Sequence, residues 1–239
     1  MDIKKHAIIA AALFSAASAA SAQSTAVEIS YTVTMVVNDA IVNAIEDLST
    51  RQATIDYMKK YRHTETIYFN GNEAIIAKGD HVDTTGVSFK SGVTAYIDLT
   101  KRQKIEATSL IDKEFIVSSD LEQTEWSIDT ESSKQILGKM CFRATKGEGD
   151  EKETAWFCPE IPIPVGPECN VGLPGLIMQL TTITMNYEAT QIVPSAQNVP
   201  ITLPTEKEIT SKEKFEKARQ KFMDDLGVEQ NGGVQVVEF

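Results

Sequence analysis

Few residues in this sequence have the type and spacing needed for acid–base or metal chemistry. Of its three histidines, His81 is the one flanked by carboxylates, in the segment Gly79-Asp80-His81-Val82-Asp83. Such a segment could bind a metal weakly or orient an imidazole, but a solvated loop beyond a hairpin explains it equally well. His63 ends the basic stretch 59–63, where the dipole at a helix C-terminus favours positive charge. We therefore predict no metal site and no cofactor.

Three cysteines, Cys141, Cys158 and Cys169, are the next candidates for chemistry. In an oxidising compartment an odd count leaves one thiol over, or leaves none paired. Cys158 and Cys169 flank a proline-rich loop that a disulfide could close, and a Cys141–Cys169 pair is a second option. Zinc is not expected, because the C-x-x-C spacing of zinc sites is absent. A thiol nucleophile on Cys141 would need a histidine close in space, for which His81 is a candidate.

The sequence carries no familiar catalytic motif. It has no Gly-x-Ser-x-Gly elbow, no His-Glu-x-x-His, no Gly-x-Gly-x-x-Gly and no P-loop. Acidic residues are plentiful, as in the run 148–153, but no pattern marks one as buried, so no glycosidase-like carboxylate pair can be assigned. The leading prediction is a non-enzymatic binding protein. The alternative is an exported hydrolase or thiol-dependent enzyme whose site is assembled from distant residues.

The first residues predict export. Lys4 and Lys5 precede an apolar run over 7–14, and Ala20-Ser21-Ala22 is an A-x-A cleavage signature. We expect a signal peptide over 1–22 and a periplasmic or secreted protein after cleavage near Ala22. No later segment offers about 18 uninterrupted apolar residues, so no transmembrane span is predicted. The net charge of −11 makes nucleic acid an unfavourable partner.

The pattern of apolar residues predicts a mainly β fold. Residues 27–35 alternate apolar and polar, which is typical of a half-buried strand. Asn70-Gly71 lies between two apolar runs and predicts a hairpin with a type I′ turn. Short alternating segments then continue to residue 193. They indicate a curved antiparallel sheet or half-barrel of class α+β.

Two segments show helical spacing instead. Residues 39–61 predict a helix near the N-terminus, capped by Asn38 or Asp39. A second helix is predicted to begin at Thr210, which forms a capping box with Glu213. We expect these two helices to cover the sheet, with a single domain over 23–227 and a flexible tail over 228–239.

One segment, residues 136–177, carries a family resemblance. It reads Ile-Leu-Gly-Lys-Met-Cys-Phe-Arg-Ala, then Ala-Trp-Phe-Cys-Pro-Glu-Ile-Pro-Ile-Pro-Val-Gly-Pro, and ends in Gly-Leu-Pro-Gly-Leu-Ile. In this order the segment resembles the GLPGLI family of exported Bacteroidetes proteins, whose function is uncharacterised, and Trp126 also fits. Cys158 and Cys169 depart from the family pattern, which favours an additional local disulfide between them.

The same segment gives the candidate binding residues. Pro174-Gly175 suits a type II turn with a positive φ at the glycine, and Trp156 and Phe157 point to opposite faces of one strand. The segment is either a rigid corner of the fold or an aromatic and proline-lined groove for an apolar small molecule or an envelope protein. In the second case the candidates are Trp126, Trp156, Phe157, Pro159, Pro162, Leu173, Pro174 and Leu176.

Overall fold

The computed structural model describes residues 26–79, 81–82, 88–89, 92–110, 113–194 and 209–225. The predicted signal peptide over 1–22 and the predicted tail over 228–239 lie outside the described residues. The carboxylates that flank His81, and the side chain of His81 itself, also lie outside them.

The described chain contains fourteen strands and three helices. They are β1 (Val27–Met35), α1 (Asp39–Asn43), α2 (Leu48–Lys60), β2 (Arg62–Phe69), β3 (Glu73–Lys78), β4 (His81–Val82), β5 (Ser88–Phe89), β6 (Gly92–Asp98), β7 (Gln103–Leu110), β8 (Lys113–Asp120), β9 (Ser127–Ile136), β10 (Lys139–Lys146), β11 (Glu153–Cys158), β12 (Leu176–Thr181), β13 (Met185–Pro194), β14 (Ile209–Ser211) and α3 (Lys212–Asp225).

Twelve of these strands form one open sheet, and β4 and β5 form a separate two-stranded ribbon. The order in the large sheet is β14-β8-β7-β6-β3-β2-β1-β13-β12-β11-β10-β9. Neighbours are antiparallel except β14, which runs parallel to β8. The prediction of a mainly β protein is therefore confirmed, and the sheet does not close on itself.

The main core lies on one face of this sheet, and Ile75, Tyr96 and Ile105 form a smaller buried cluster separate from it. Ile29, Tyr31 and Val33 alternate along β1 and are each fully buried, as the apolar alternation predicts. The Tyr31 hydroxyl donates a 2.8 Å hydrogen bond to the carbonyl oxygen of Ile177, which ties β1 to β12 across the core. We call the core face of the sheet its inner face.

The segment 159–175, between β11 and β12, crosses the inner face. Cys169 Sγ lies 3.7 Å from Glu106 Oε1 on β7, although six strands separate β11 from β7 in the sheet order. A contact over that separation requires the sheet to bend, so that its two halves face a common space.

The helices depart from prediction in their bounds and caps. The predicted N-terminal helix is split into α1, capped by Asn38, and α2, capped by Asp47. Thr210 lies in β14 rather than at a helix cap. Because α2 packs against β1 and α3 packs against β8 and β14 at one edge, the predicted cover of the sheet by two terminal helices is not matched.

Two glycine predictions also need correction. The hairpin between β2 and β3 forms as predicted, but Gly71 has a positive φ and Asn72 does not; a type I′ turn needs both. Gly175 has no positive φ, so the predicted type II turn is wrong. Glycine is required at 175 because a Cβ there would lie 2.2 Å from the carbonyl oxygen of Cys158.

This close approach predicts a large cost for Gly175→Ala. The added methyl would meet backbone rather than a movable side chain, so the free energy of unfolding should fall by about 3 kcal/mol, the upper end of overpacking costs. Gly138→Ala is the control, since Gly138 has φ +73 but no atom within 4 Å of its Cβ position, and should lose about 1 kcal/mol. Urea unfolding of both variants measures the difference, and equal losses would contradict the steric explanation.

Candidate functional site

The structure divides the residues predicted to form an aromatic and proline-lined groove between core and surface. Phe157, Leu173 and Leu176 are buried in the main core. Trp126 and Trp156 are partly buried, and each indole ring faces a lysine: Lys146 Nζ at 5.2 Å and Lys134 Nζ at 4.3 Å. Pro159, Pro162 and Pro174 are exposed. The core members of this set favour the interpretation of a rigid corner.

The predicted disulfides are not formed. All three cysteines are buried free thiols. Cys169 is directed towards Glu106 on β7, whereas Cys158 lies in β11 beside Cys141 of β10. Burial and the neighbouring Cys158 raise the pKa of Cys141 to about 11, so its thiolate form is scarce at neutral pH. The structure thus gives no support to Cys141 as a nucleophile.

A cavity of about 480 Å³ opens on the inner face, away from most of the predicted groove residues. Its walls come from β2, β3, β6, β7, β8, β13, α3 and the turn that contains Glu168. We call it the inner cavity. Apolar side chains such as Ile76, Val117 and Phe215 share its lining with Glu65, Lys78 and Glu168.

Glu65 is placed in the inner cavity by the alternation of β2. The buried positions of β2, which point to the inner face, are His63, Glu65, Ile67 and Phe69. The carboxyl group of Glu65 therefore takes one of the inward positions of the strand. Glu65 is 6 % exposed. Its Oε1 atom is buried without a hydrogen-bond partner among the described residues. An unsatisfied buried oxygen costs free energy, which makes this atom a candidate ligand contact.

A carboxyl group in this position resists ionisation. Burial is the main cause that raises the pKa of Glu65 to about 8, and the nearby Glu168 raises it further, while Lys78 opposes the change. Glu65 stands opposite Lys78 on β3 and opposite Tyr31 on β1. At neutral pH it is therefore mostly protonated and can both donate and accept a hydrogen bond.

Glu168 reaches the inner cavity from a strained turn. Glu168 and Cys169 both have left-handed backbone angles, with φ of 54° and 56°, a conformation that costs non-glycine residues free energy. The turn is held by Asn170, whose carbonyl oxygen accepts from Gly166 N at 2.8 Å and whose side-chain amide donates to the carbonyl oxygen of Pro167 at 2.9 Å. Lys146 Nζ donates to Asn170 Oδ1 at 2.7 Å.

Tyr187 on β13 orients the Glu168 carboxyl group. The Tyr187 hydroxyl donates a 2.7 Å hydrogen bond to Glu168 Oε1. Solvent reaches Glu168, but protein surrounds it closely enough that desolvation is the largest cause raising its pKa, and the bond from Tyr187 partly offsets this. Glu65 and Glu168 thus line the same cavity. The charge of one carboxyl group disfavours ionisation of the other, which raises the pKa of Glu65.

The carboxyl pair was missed by sequence reasoning. Glu65 had a detectable signal, because it takes an inward position in an alternating strand. Glu168 had none, since a turn between prolines gives no indication of the strand it will face. Among the described residues, no three histidine, cysteine or acidic side chains are arranged to hold a metal ion. No helix in the described part of the chain is long and apolar enough to cross a bilayer.

The raised pKa of Glu65 predicts a pH dependence of stability. The unfolded carboxyl group gives up its proton near pH 4.5 and the folded one near pH 8, so the stabilisation is complete below pH 4.5 and is lost as the pH rises towards 8. One proton corresponds to a slope of about 1.4 kcal/mol per pH unit.

The Glu65→Gln variant isolates this contribution. Its free energy of unfolding, measured by urea titration from pH 5 to 9, should decline less than that of the unchanged protein. The difference between the two curves should level off above pH 8. Parallel curves would show that Glu65 ionises in the folded protein at its ordinary pH.

Comparison with known proteins gives a local match to a family model and a likeness of fold. Residues 146–179 match a family model described as "Protein of unknown function (Porph_ging)", and this stretch overlaps the segment that resembles the GLPGLI family. No curated protein matches the chain. The chain is similar to PNGF-II structures in the C2 and P21 space groups, with TM-scores of 0.55 and 0.53 and 14 % sequence identity. It aligns over 82 % of its own length and spans 32 % and 34 % of those chains, so the likeness concerns the fold of about a third of PNGF-II.

Proposed function

We propose that this protein is a non-enzymatic binding protein and that its ligand occupies the inner cavity. The observation that carries the proposal is the buried Oε1 atom of Glu65, which has no hydrogen-bond partner among the described residues and belongs to a side chain lining a cavity of about 480 Å³. A volume of this size is within the range of small-molecule sites. A ligand that donates a hydrogen bond to Glu65 would relieve the cost of burying that oxygen.

The chemistry of the cavity changes the predicted ligand. The sequence predicts an apolar molecule, but Glu65, Lys78 and Glu168 place polar groups beside the apolar side chains of Ile76 and Val117. A purely apolar ligand would leave the buried Oε1 atom of Glu65 without a hydrogen-bond partner. The proposed ligand therefore combines an apolar body with a polar group.

The cellular setting of this function is part of the proposal. We propose that residues 1–22 direct export, that cleavage near Ala22 releases a periplasmic or secreted protein, and that a single domain extends to residue 227 before a flexible tail. The bent, open sheet supports the interpretation as a half-barrel. The partial family match over 146–179 supports the proposed GLPGLI-like identity of the domain.

An exported hydrolase is the second candidate, and the Glu65–Glu168 pair favours it over the thiol-dependent enzyme. A protonated carboxyl group can act as a general acid while a second, ionised carboxyl group acts as a general base. An envelope protein bound at the exposed Pro159, Pro162 and Pro174 is a third candidate. The binding role is preferred because no motif of a known reaction accompanies the pair.

Filling the inner cavity tests the binding role. Thr108 lines the cavity and Ser109, the next residue on β7, is exposed and does not line it. We expect native mass spectrometry of the protein purified gently from its own host to show a retained small molecule in the unchanged protein and in Ser109→Trp. Thr108→Trp should lose it, because the indole occupies the cavity.

Circular dichroism shows whether both variants are folded. Retention of the same molecule by folded Thr108→Trp would place the ligand elsewhere. Absence of any retained molecule from the unchanged protein would count against the binding role.

A further inference from the structure

We propose that the inner cavity takes an amphipathic cation, an alkyl chain that ends in a primary ammonium group, with the ammonium bound between Glu65 and Glu168. This inference rests on the proposed binding role of the cavity and specifies the class of its ligand.

The ion pairs described around the inner cavity include neither carboxyl group of the pair. Lys104 Nζ is 2.7 Å from Glu106 Oε2, and Lys212 Nζ is 3.3 Å from Glu122 Oε1. Among the described residues, neither Glu65 nor Glu168 forms an ion pair. Two of the three lining lysines are thus paired with other carboxylates, and the third, Lys78, acts on Glu65 and Glu168 through its charge. Both carboxyl groups line the cavity and can meet a cation from outside the chain.

The geometry of Glu65 calls for a hydrogen-bond donor. Its side chain is more than nine-tenths buried and lines the cavity, and its Oε1 atom has no partner within the described chain. Lys78 stands directly opposite on β3 but makes no ion pair with it. Glu168 Oε1 already accepts from the Tyr187 hydroxyl, which fixes the second carboxyl group in place. An ammonium group has three donors and can serve both carboxylates at once.

The rest of the cavity suits the alkyl chain of such a ligand. Ile76 of β3, Ala95 of β6 and Val117 of β8 are buried residues of the lining, and Phe215 of α3 lies at the side formed by the helix. Burial of methylene groups against these side chains is favourable at about 25 cal/mol per Å² of apolar surface. A bare inorganic cation would gain nothing from them.

Entry of the cation should release a proton from the carboxyl pair. The groups that face Glu65 are Tyr31 on β1, Lys78 on β3, Tyr187 on β13 and Glu168 on the turn. Burial and the charge of Glu168 raise the pKa of Glu65 to about 8 against the opposing charge of Lys78, so its carboxyl group is mostly protonated at neutral pH. A primary ammonium stays charged to above pH 10. The net exchange is one cation in and one proton out, so binding strengthens as the pH rises towards 8.

Isothermal titration calorimetry of the full chain tests the inference. The probe is Nα-acetyl-lysine methylamide, and its neutral counterpart is Nα-acetyl-norleucine methylamide, which has the same stem without the ammonium. We expect the lysine probe to bind with an affinity that rises about tenfold from pH 6 to pH 7. The heat should depend on the buffer in a way that reports up to one released proton, and the norleucine probe should bind at least tenfold more weakly.

Variants assign the effect to the carboxyl pair. Glu65→Gln and Glu168→Gln should each weaken binding of the lysine probe at least tenfold at pH 8, and Glu65→Gln should also abolish the pH dependence. The control is Glu125→Gln, which removes the same charge from an exposed residue outside the lining and should bind like the unchanged protein.

The possible failures separate the two proposals. Equal binding of both probes, or absence of lysine-probe binding at pH 8, overturns the cationic class. If a small molecule is nevertheless retained by the unchanged protein and lost from Thr108→Trp, the binding role of the cavity stands. If no molecule is retained either, both proposals fail.

Discussion

The close packing of the 159–175 segment on the inner face is the constraint on which the rest of the structure depends. Gly175 lies against the carbonyl of Cys158 at a distance that admits no side chain. Gly166 is similarly tight, since a Cβ there would lie 2.6 Å from Ile177 Cδ1. The first contact holds the two ends of the segment together, and the second holds its middle against Ile177 of β12. The turn that carries Glu168 belongs to this segment, so the inner cavity has this wall only when the segment packs against the inner face.

The charges that meet in the cavity follow from the packing of this segment. Glu168 is directed at β13, where Tyr187 binds it, and its charge adds to the burial that already disfavours ionisation of Glu65. A buried carboxyl group without partners is a cost to folding. Left-handed backbone at Glu168 and Cys169 is a second cost at the same place. These two unfavourable features coincide at the wall of one cavity, which supports the proposed binding of a ligand there.

The predicted corner and the observed cavity are parts of one arrangement. The aromatic and proline residues were considered as a ligand groove, but Phe157, Leu173 and Leu176 belong to the core. Their packing holds the segment whose turn faces the cavity. The segment also carries the match to an uncharacterised family. The aromatic and proline residues singled out in the sequence thus support the candidate site without forming its lining.

The sequence by itself determined the local structure. Alternation along 27–35 gave a strand with Ile29, Tyr31 and Val33 inside, and Asn70-Gly71 gave the hairpin, because side-chain periodicity and turn preferences act over a few neighbouring residues. The inward position of Glu65 follows from the same kind of alternation in β2, although it was not predicted. Only the tertiary structure decided which distant residues meet: that Cys169 faces Glu106 instead of another cysteine, that Gly175 is required by a carbonyl rather than by its φ, and that Glu168 stands near Glu65. These depend on how far a twelve-stranded sheet bends and where a long connection crosses it, which is set by the packing of the whole chain and leaves no local pattern.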